Sequence, residues 1–230
     1  MAKQGPDKIT RRGALAASLG AAGVALAGTA QALAKPKPKR GGTLRGKRVL
    51  VAIGEFSEGM ETYYMVYRLM EEGVVPVVAA GEVKRVQMVV HDFDPKYSNY
   101  IEMTGYCIAS QVAYKDVKAA DYDGLLIPGG RGPEEIRQYK EALQIAGYFL
   151  DKRLPLGAMC HGPQVVWAAR SVKGRQMTCY YGIRPDLEMA GAKFLDQPTV
   201  IDGSLVTSRG WPDLPDFMPK FLKVLAGAGK

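Results

Sequence analysis

The stretch Leu154-Pro155-Leu156-Gly157-Ala158-Met159-Cys160-His161-Gly162-Pro163-Gln164-Val165-Val166-Trp167-Ala168-Ala169 decides the fold. An apolar run ends at Cys160, Gly162 and Pro163 follow, and Val165, Val166, Ala168 and Ala169 recur at helical spacing. The pattern predicts a strand, a tight turn and a helix with a cysteine at the bend, the layout of a nucleophile elbow. Gly162 accepts backbone angles that a Cβ resists, and Pro163 suits a first helical turn, where its missing N–H costs nothing. A thiol at that bend meets free N–H groups and the positive end of a helix dipole, so a thiolate near neutral pH is expected. The bland alternative is a small buried hydrophobe, which most free cysteines are. The flanking glycines, His161 and the strand-turn-helix pattern favour the reactive reading.

Outward from this stretch the chain alternates β and α. An unbroken β-branched run over residues 49–53 suits a strand covered on both faces. A loop with Gly54 and Gly59 leads into a helix over 60–72 that Gly73 closes. Residues 74–80 form a second strand, with Pro76 confining it to an edge or marking the strand's start. Residues 81–115 are less regular: 83–90 read as half of a hairpin, 94–100 as a loop, and Cys107 falls in an aromatic-rich loop. Then come a core strand (125–128), a helix (133–151), the elbow strand (155–159), further strands within 174–210 and a closing helix (212–226). Repeated β-α units predict an α/β fold, a doubly wound, mainly parallel sheet sandwiched between helices, with its ligand crevice at the strands' carboxyl ends.

The opening of the chain reads differently. Thr10-Arg11-Arg12-Gly13 precedes a Leu/Ala/Gly run that ends in Ala32-Leu33-Ala34. A charged region, a weakly hydrophobic core and a small-residue site predict a twin-arginine-type signal peptide over residues 1–34 and an exported, periplasmic protein. The run is too rich in Ala and Gly for a good permanent anchor, so no stable membrane span is expected after cleavage. Residues 35–47 form a basic Pro/Lys linker ahead of one domain over 48–230. The net charge of +8 belongs to these segments: residues 1–48 hold eleven of the 31 basic residues and one of the 23 acids. The remainder holds 20 basic against 22 acidic residues, which argues against a nucleic-acid partner. Three cysteines with no C-x-x-C spacing predict free thiols, Cys179 lying in a strand around 176–180. His91, with Asp92 and Asp94 near, reads as a surface loop residue. No metal site is expected, since no second histidine lies at ligand spacing, and no cofactor is expected.

Three blocks resemble the ThiJ/PfpI family of the class I glutamine amidotransferase-like superfamily. They are the 158–164 elbow, Pro128-Gly129-Gly130-Arg131-Gly132-Pro133-Glu134, and a 200–209 hairpin containing Asp202-Gly203 and Thr207-Ser208-Arg209. The resemblance implies a flavodoxin-like fold with its nucleophile elbow at Cys160. It places Glu61 on the family's protonated acid beside the cysteine, with Glu58 as the fallback. Gly129 and Gly130, with the His161 N–H, match an oxyanion hole. His161 matches a general base and Glu134 a residue that orients it from a neighbouring subunit, so a dimer or hexamer is implied. Tyr97, Tyr100 and Tyr106 are candidates to roof the cleft or to pack against another subunit.

Two functions compete. One is a cysteine-dependent enzyme acting on a small carbonyl or amide, with glyoxalase, deglycase or peptidase-like hydrolase chemistry on a small-molecule or peptide substrate. The other is a non-enzymatic, redox-responsive stress protein or chaperone with an oxidisable Cys160. Glutaminase-type transfer needs a remote histidine, and none follows His161.

Overall fold

A computed structural model describes residues 44–228. The signal peptide and residues 35–43 of the linker lie outside the described residues.

The chain order is β1 (Arg48–Ala52), α1 (Gly59–Glu71), β2 (Val75–Ala80), β3 (Arg85–Asp92), β4 (Ile101–Ala109) and β5 (Val112–Ala113). Then follow β6 (Gly124–Ile127), α2 (Gly132–Ile136), α3 (Lys140–Asp151), β7 (Leu156–Met159) and α4 (Pro163–Ala169). The rest comprises β8 (Gln176–Met177), α5 (Arg184–Met189), β9 (Lys193–Phe194), β10 (Thr199–Asp202), β11 (Leu205–Ser208) and α6 (Leu214–Gly227). Seven strands form one sheet in the order β10-β11-β7-β6-β1-β2-β5. β10 pairs antiparallel with β11, and the other pairings are parallel. With the two-residue β5 set aside, the parallel strands follow the flavodoxin order, whose direction reverses between β1 and β6. β3 and β4 form a separate antiparallel hairpin.

Strand periodicity sorts the core into two layers. Val49, Val51 and Ile53 pack with Met65, Val66 and Leu69 of α1 and Phe217, Phe221 and Leu225 of α6. Leu50 and Ala52 face Ile145 and Phe149 of α3 and Val165 and Val166 of α4. Gly157 permits that first layer at β7. A Cβ there would lie 2.6 Å from Leu126 Cδ2 and 2.8 Å from Phe217 Cζ, so the small residue admits side chains rather than a neighbouring strand's backbone.

Several expectations need correction. The helix predicted over 133–151 is two helices, because Tyr139 adopts an extended backbone ahead of α3 and its hydroxyl donates to Glu135 Oε1 at 2.9 Å. Cys107 lies in β4, where its Sγ contacts Gln87 Oε1 of β3 at 3.1 Å. β8 stops at Met177, so Cys179 follows the strand, buried under α5. His91 is no surface residue: it sits in β3, 5% exposed, with Nε2 2.9 Å from Glu102 Oε2. Pro76 is second in β2, where β5 has not begun to pair, so no sheet neighbour needs its missing N–H. The three cysteines are free. Among the described residues no helix is long and apolar enough to cross a membrane.

Candidate active site

The loops after β1, β6 and β7 meet where the strand order reverses, at the carboxyl edge of the sheet. Cys160 ends β7. Its N–H donates to the Ser208 carbonyl at 3.0 Å, and its own carbonyl accepts the Tyr180 N–H at 3.0 Å. Pinned between these partners, it adopts φ +57°, a left-handed conformation that non-glycine residues seldom hold without a reason. The chain turns at once, with Gly162 N–H on the Met159 carbonyl at 2.6 Å, and α4 starts at Pro163. A Cβ on Gly162 would lie 2.4 Å from the Ile127 carbonyl, so only glycine fits this turn against β6.

The loop after β6 presses on the cysteine. A Cβ on Gly129 would sit 2.4 Å from Cys160 Cβ and 2.8 Å from Sγ. Gly130, at φ +72°, bridges to Ser57 in the loop after β1. The backbone N–H groups of Gly130 and His161 are directed at Cys160 and ease ionisation of its thiol. Gly129 plays a different part from the one expected: its N–H donates to Glu61 Oε2 at 2.6 Å, so it is already engaged.

Glu61 lies in the first turn of α1 with no exposed surface. Burial pushes its carboxyl well above the ordinary range, and the nearby Glu58 charge adds to the push. Its second oxygen, Oε1, is buried without a hydrogen bond of sound geometry, although the Cys160 thiol lies close enough to ease its ionisation. Glu58, the fallback, caps α1 instead: its Oε2 accepts the Glu61 N–H at 2.7 Å. For Cys160 itself, burial first and Glu61's charge second push the thiol up, against the two amides. The helix N-terminus and the two amides favour the thiolate, burial opposes it, and a charge on Glu61 opposes it further.

His161 is 6% exposed, and burial holds it down to about 4, so it is neutral near pH 7. Its Nδ1 is buried with no partner. Glu134 does not supply one within the chain, standing exposed in the first turn of α2. Two rings surround the imidazole: Tyr180, which the sequence did not single out, with centroids 5.2 Å apart, and Tyr100 edge-on at 6.2 Å. Tyr100 stacks on His91 at 4.0 Å, and Glu102 then holds His91 and, through both its oxygens, Arg131 beside the glycine loop. Of the tyrosines proposed as a roof, only Tyr100 reaches the site; Tyr97 and Tyr106 are exposed. Glu102 carried no sequence signal; the β3–β4 pairing sets it opposite His91. Among the described residues no group of three or more His, Cys, Asp or Glu is placed to hold a metal ion.

The sequence pattern of the DJ-1/PfpI family matches residues 47–224. An uncharacterized protein of Archaeoglobus fulgidus is 40% identical over 178 residues, 77% of this chain and 98% of that one. The protein named Deglycase PfpI of Pyrococcus furiosus is 35% identical over 179 residues, 78% of this chain and 99% of its own. Among solved structures, a two-domain protein of Anabaena variabilis with DJ-1/ThiJ/PfpI-like and ferritin-like domains superposes with TM-score 0.69 at 26% identity. That match covers 80% of this chain and 49% of the two-domain chain. A ThiJ/PfpI domain protein of Brachyspira murdochii shares the fold, with TM-score 0.69 at 16% identity over 80% of this chain and 98% of its own. With the family pattern spanning the sheet, the glycine loop and the Cys160 turn, this chain belongs to the DJ-1/PfpI family.

Proposed function

We propose that the Cys160 turn is a nucleophile elbow and that the protein is a cysteine-dependent enzyme acting on a small carbonyl or amide, with deglycase- or glyoxalase-like chemistry. The observation that carries this reading is a buried acid paired with a buried, backbone-strained thiol. Two adjacent buried negative charges are costly, so the pair holds one proton between them at neutral pH. Glu58 stands against Glu61 and disfavours its ionisation, while the Gly130 and His161 amides serve the sulfur. In this reading the proton rests on Glu61 Oε1, the oxygen that Gly129 leaves free, and the charge on Sγ, at which the Gly130 and His161 N–H groups are directed. With Glu61 neutral, the push on the thiol from its charge is gone and burial is left opposed by the two amides and the Glu61 hydrogen bond. Similarity to relatives named deglycases supports the same reading.

In the reaction, Sγ attacks the carbonyl carbon and a C–S bond forms. The carbonyl π pair moves to oxygen, which takes the proton from Glu61 while the Gly130 and His161 N–H groups stabilise the developing charge. His161, neutral near pH 7, serves as the base for the returning proton. Its unpartnered Nδ1 is the place for Glu134 of a second copy in a dimer or hexamer. A strict monomer by light scattering at micromolar concentration would remove Glu134 from this scheme. Export through residues 1–34 belongs to the same proposal, and N-terminal sequencing of the exported form should start after Ala34. Turnover of methylglyoxal and of a peptide amide should vanish in Cys160→Ser; undiminished turnover in that variant contradicts the enzyme reading.

A further inference from the structure

Against Tyr180, whose N–H bonds the Cys160 carbonyl, lies a cavity of about 360 Å³ that Cys160 itself does not line. Its walls include Phe93 from the loop after β3, Tyr180 and Tyr181 before α5, Phe194 of β9, and the charged Arg184, Arg209, Asp196 and Asp213. Its place is set by Cys160's own backbone partners. Tyr180, whose N–H bonds the Cys160 carbonyl, forms one wall with the ring that packs on His161. Arg209 and Gly210 directly follow Ser208, whose carbonyl accepts the Cys160 N–H. A second cavity of about 210 Å³ shares Phe93 and Tyr181 and continues along the 93–99 loop.

Two arginines in a wall suggest an anion site, but neither offers an unmatched charge. Arg209 binds Asp213 through Nε and Nη2 and Asp196 through Nη1, all within 3.1 Å. Arg184 pairs with Glu188 at 2.9 Å, and its Cζ sits over the Phe194 ring, 4.7 Å from the centroid. With Arg209 matched by Asp196 and Asp213 and Arg184 by Glu188, the surfaces left to a ligand are the rings of Phe93, Tyr180, Tyr181 and Phe194. The chemistry that fits is an uncharged ring, which gains burial and stacking without stranding a charge.

We infer that this cavity is a specificity subsite of the Cys160 centre and that the substrate's carbonyl carries a ring-bearing, uncharged substituent rather than a bare methyl group. The inference rests on the proposed function for the reacting atom, and deepens it by naming what accompanies that atom. Tyr180 is the partition between the two spaces, so the substituent passes beside its ring.

The test compares alkylation of Cys160 in the full chain by N-benzyl-iodoacetamide and N-methyl-iodoacetamide, read by mass spectrometry. In both, the sulfur forms a bond to carbon and iodide leaves, so only the substituent differs. The benzyl reagent should label Cys160 about tenfold faster, in the range that a filled apolar pocket gives. The ratio should collapse towards that of free cysteine in Phe93→Ala and in Tyr181→Ala, two exposed wall residues. Equal rates for the two reagents in the parent chain overturn the subsite. So does a carboxymethyl-substituted iodoacetamide outrunning the benzyl one, since it would show an anion site. If no reagent labels Cys160, the enzyme reading fails, and the cavity is decided separately by titrating N-benzylacetamide into Cys160→Ser. Saturable shifts at Phe93, Tyr181 and Phe194 in nuclear magnetic resonance spectra uphold it, and their absence overturns it.

Discussion

The carboxyl edge of the sheet and the tip of the β3–β4 hairpin close on Cys160 from opposite sides, and they are held by different forces. The sheet side is fixed by backbone and by close packing. Glycines 129, 130 and 162 lie where a Cβ would come within 2.4 Å of neighbouring atoms, and Cys160 has both backbone groups bonded. The hairpin begins in the same manner, with Phe56 N–H on the Gln87 carbonyl at 2.7 Å and Val89 N–H on the Ser57 carbonyl at 3.0 Å. Its far end, which carries Tyr100, is fastened by side chains: Arg131 to Glu102, Tyr180 to Asn99 at 2.6 Å, and Tyr181 to the Ser98 carbonyl at 2.8 Å. Backbone packing sets the reacting atoms, whereas adjustable polar contacts set what covers them. Such a division lets the chemistry stay fixed while the cover varies.

The largest break in that comparison comes from the sheet side. Gly129→Ala should cost about 2–3 kcal/mol of stability, because the new methyl overlaps Cys160 and the glycine loop must move. It should also slow Cys160 alkylation; chemical denaturation and labelling rates check both. Cys160→Gly should do the reverse for stability, relieving a positive φ worth about 1–2 kcal/mol while removing the nucleophile. A higher melting temperature with no turnover is the expected pair of results.

His161 sharpens the comparison through pH. A histidine buried neutral, with its pKa lowered to about 4, binds its proton in the unfolded chain before it does so in the folded one. Stability is therefore lost as pH falls from about 6.5 to about 4, by about 3 kcal/mol at full extent. The raised Glu58 and Glu61 act with the opposite sign, since the folded state takes up their protons first. His161→Gln should remove only the histidine's share, so its denaturation midpoints should fall less steeply across that window than the parent's. Identical pH slopes contradict a buried neutral imidazole.

The hairpin's latch should show the smallest effect. Glu102 is partly exposed and its pairs with Arg131 and His91 are screened, so Glu102→Gln should change stability by about 1 kcal/mol or less. Hydrogen exchange in residues 93–104 should nevertheless speed up, while residues 156–166 stay protected. Equal acceleration in both segments would mean that the two sides are not separately held.

The same division explains what the sequence made legible. Unbroken apolar runs, glycines at turns and the strand-turn-helix motif are signals of backbone geometry, and they located β1, β6, β7 and α4, whereas Glu61 was placed beside Cys160 by the family resemblance. In the hairpin only the first strand carries such a signal, read over 83–90 and found as β3. Its β4 alternates weakly, with most residues half-exposed or exposed, so Cys107 reads as a loop and His91 as a surface residue. The partners that bury His91, Glu102 and Tyr100, come from contacts that no local spacing encodes. The use of Gly129's N–H by Glu61 was likewise hidden, because a glycine pair shows where backbone is accessible and not which group takes it. The Pro133–Asp151 region failed for a further reason. Its apolar periodicity continues through Tyr139, whose extended backbone and hydroxyl bond to Glu135 leave no mark in the pattern.

The central claim is that Glu61 is a neutral donor to a Cys160 thiolate. Its most direct test is the apparent pKa of Cys160, from iodoacetamide labelling across pH, in the parent chain, Glu61→Gln and Glu61→Ala. A neutral donor predicts that Glu61→Gln, whose amide still donates, stays near the parent and that Glu61→Ala moves upward, because the thiolate loses a hydrogen bond. If Glu61 is instead the charged member of the pair, both variants remove a repelling carboxylate and the Cys160 pKa falls in each. A fall in Glu61→Ala contradicts the account.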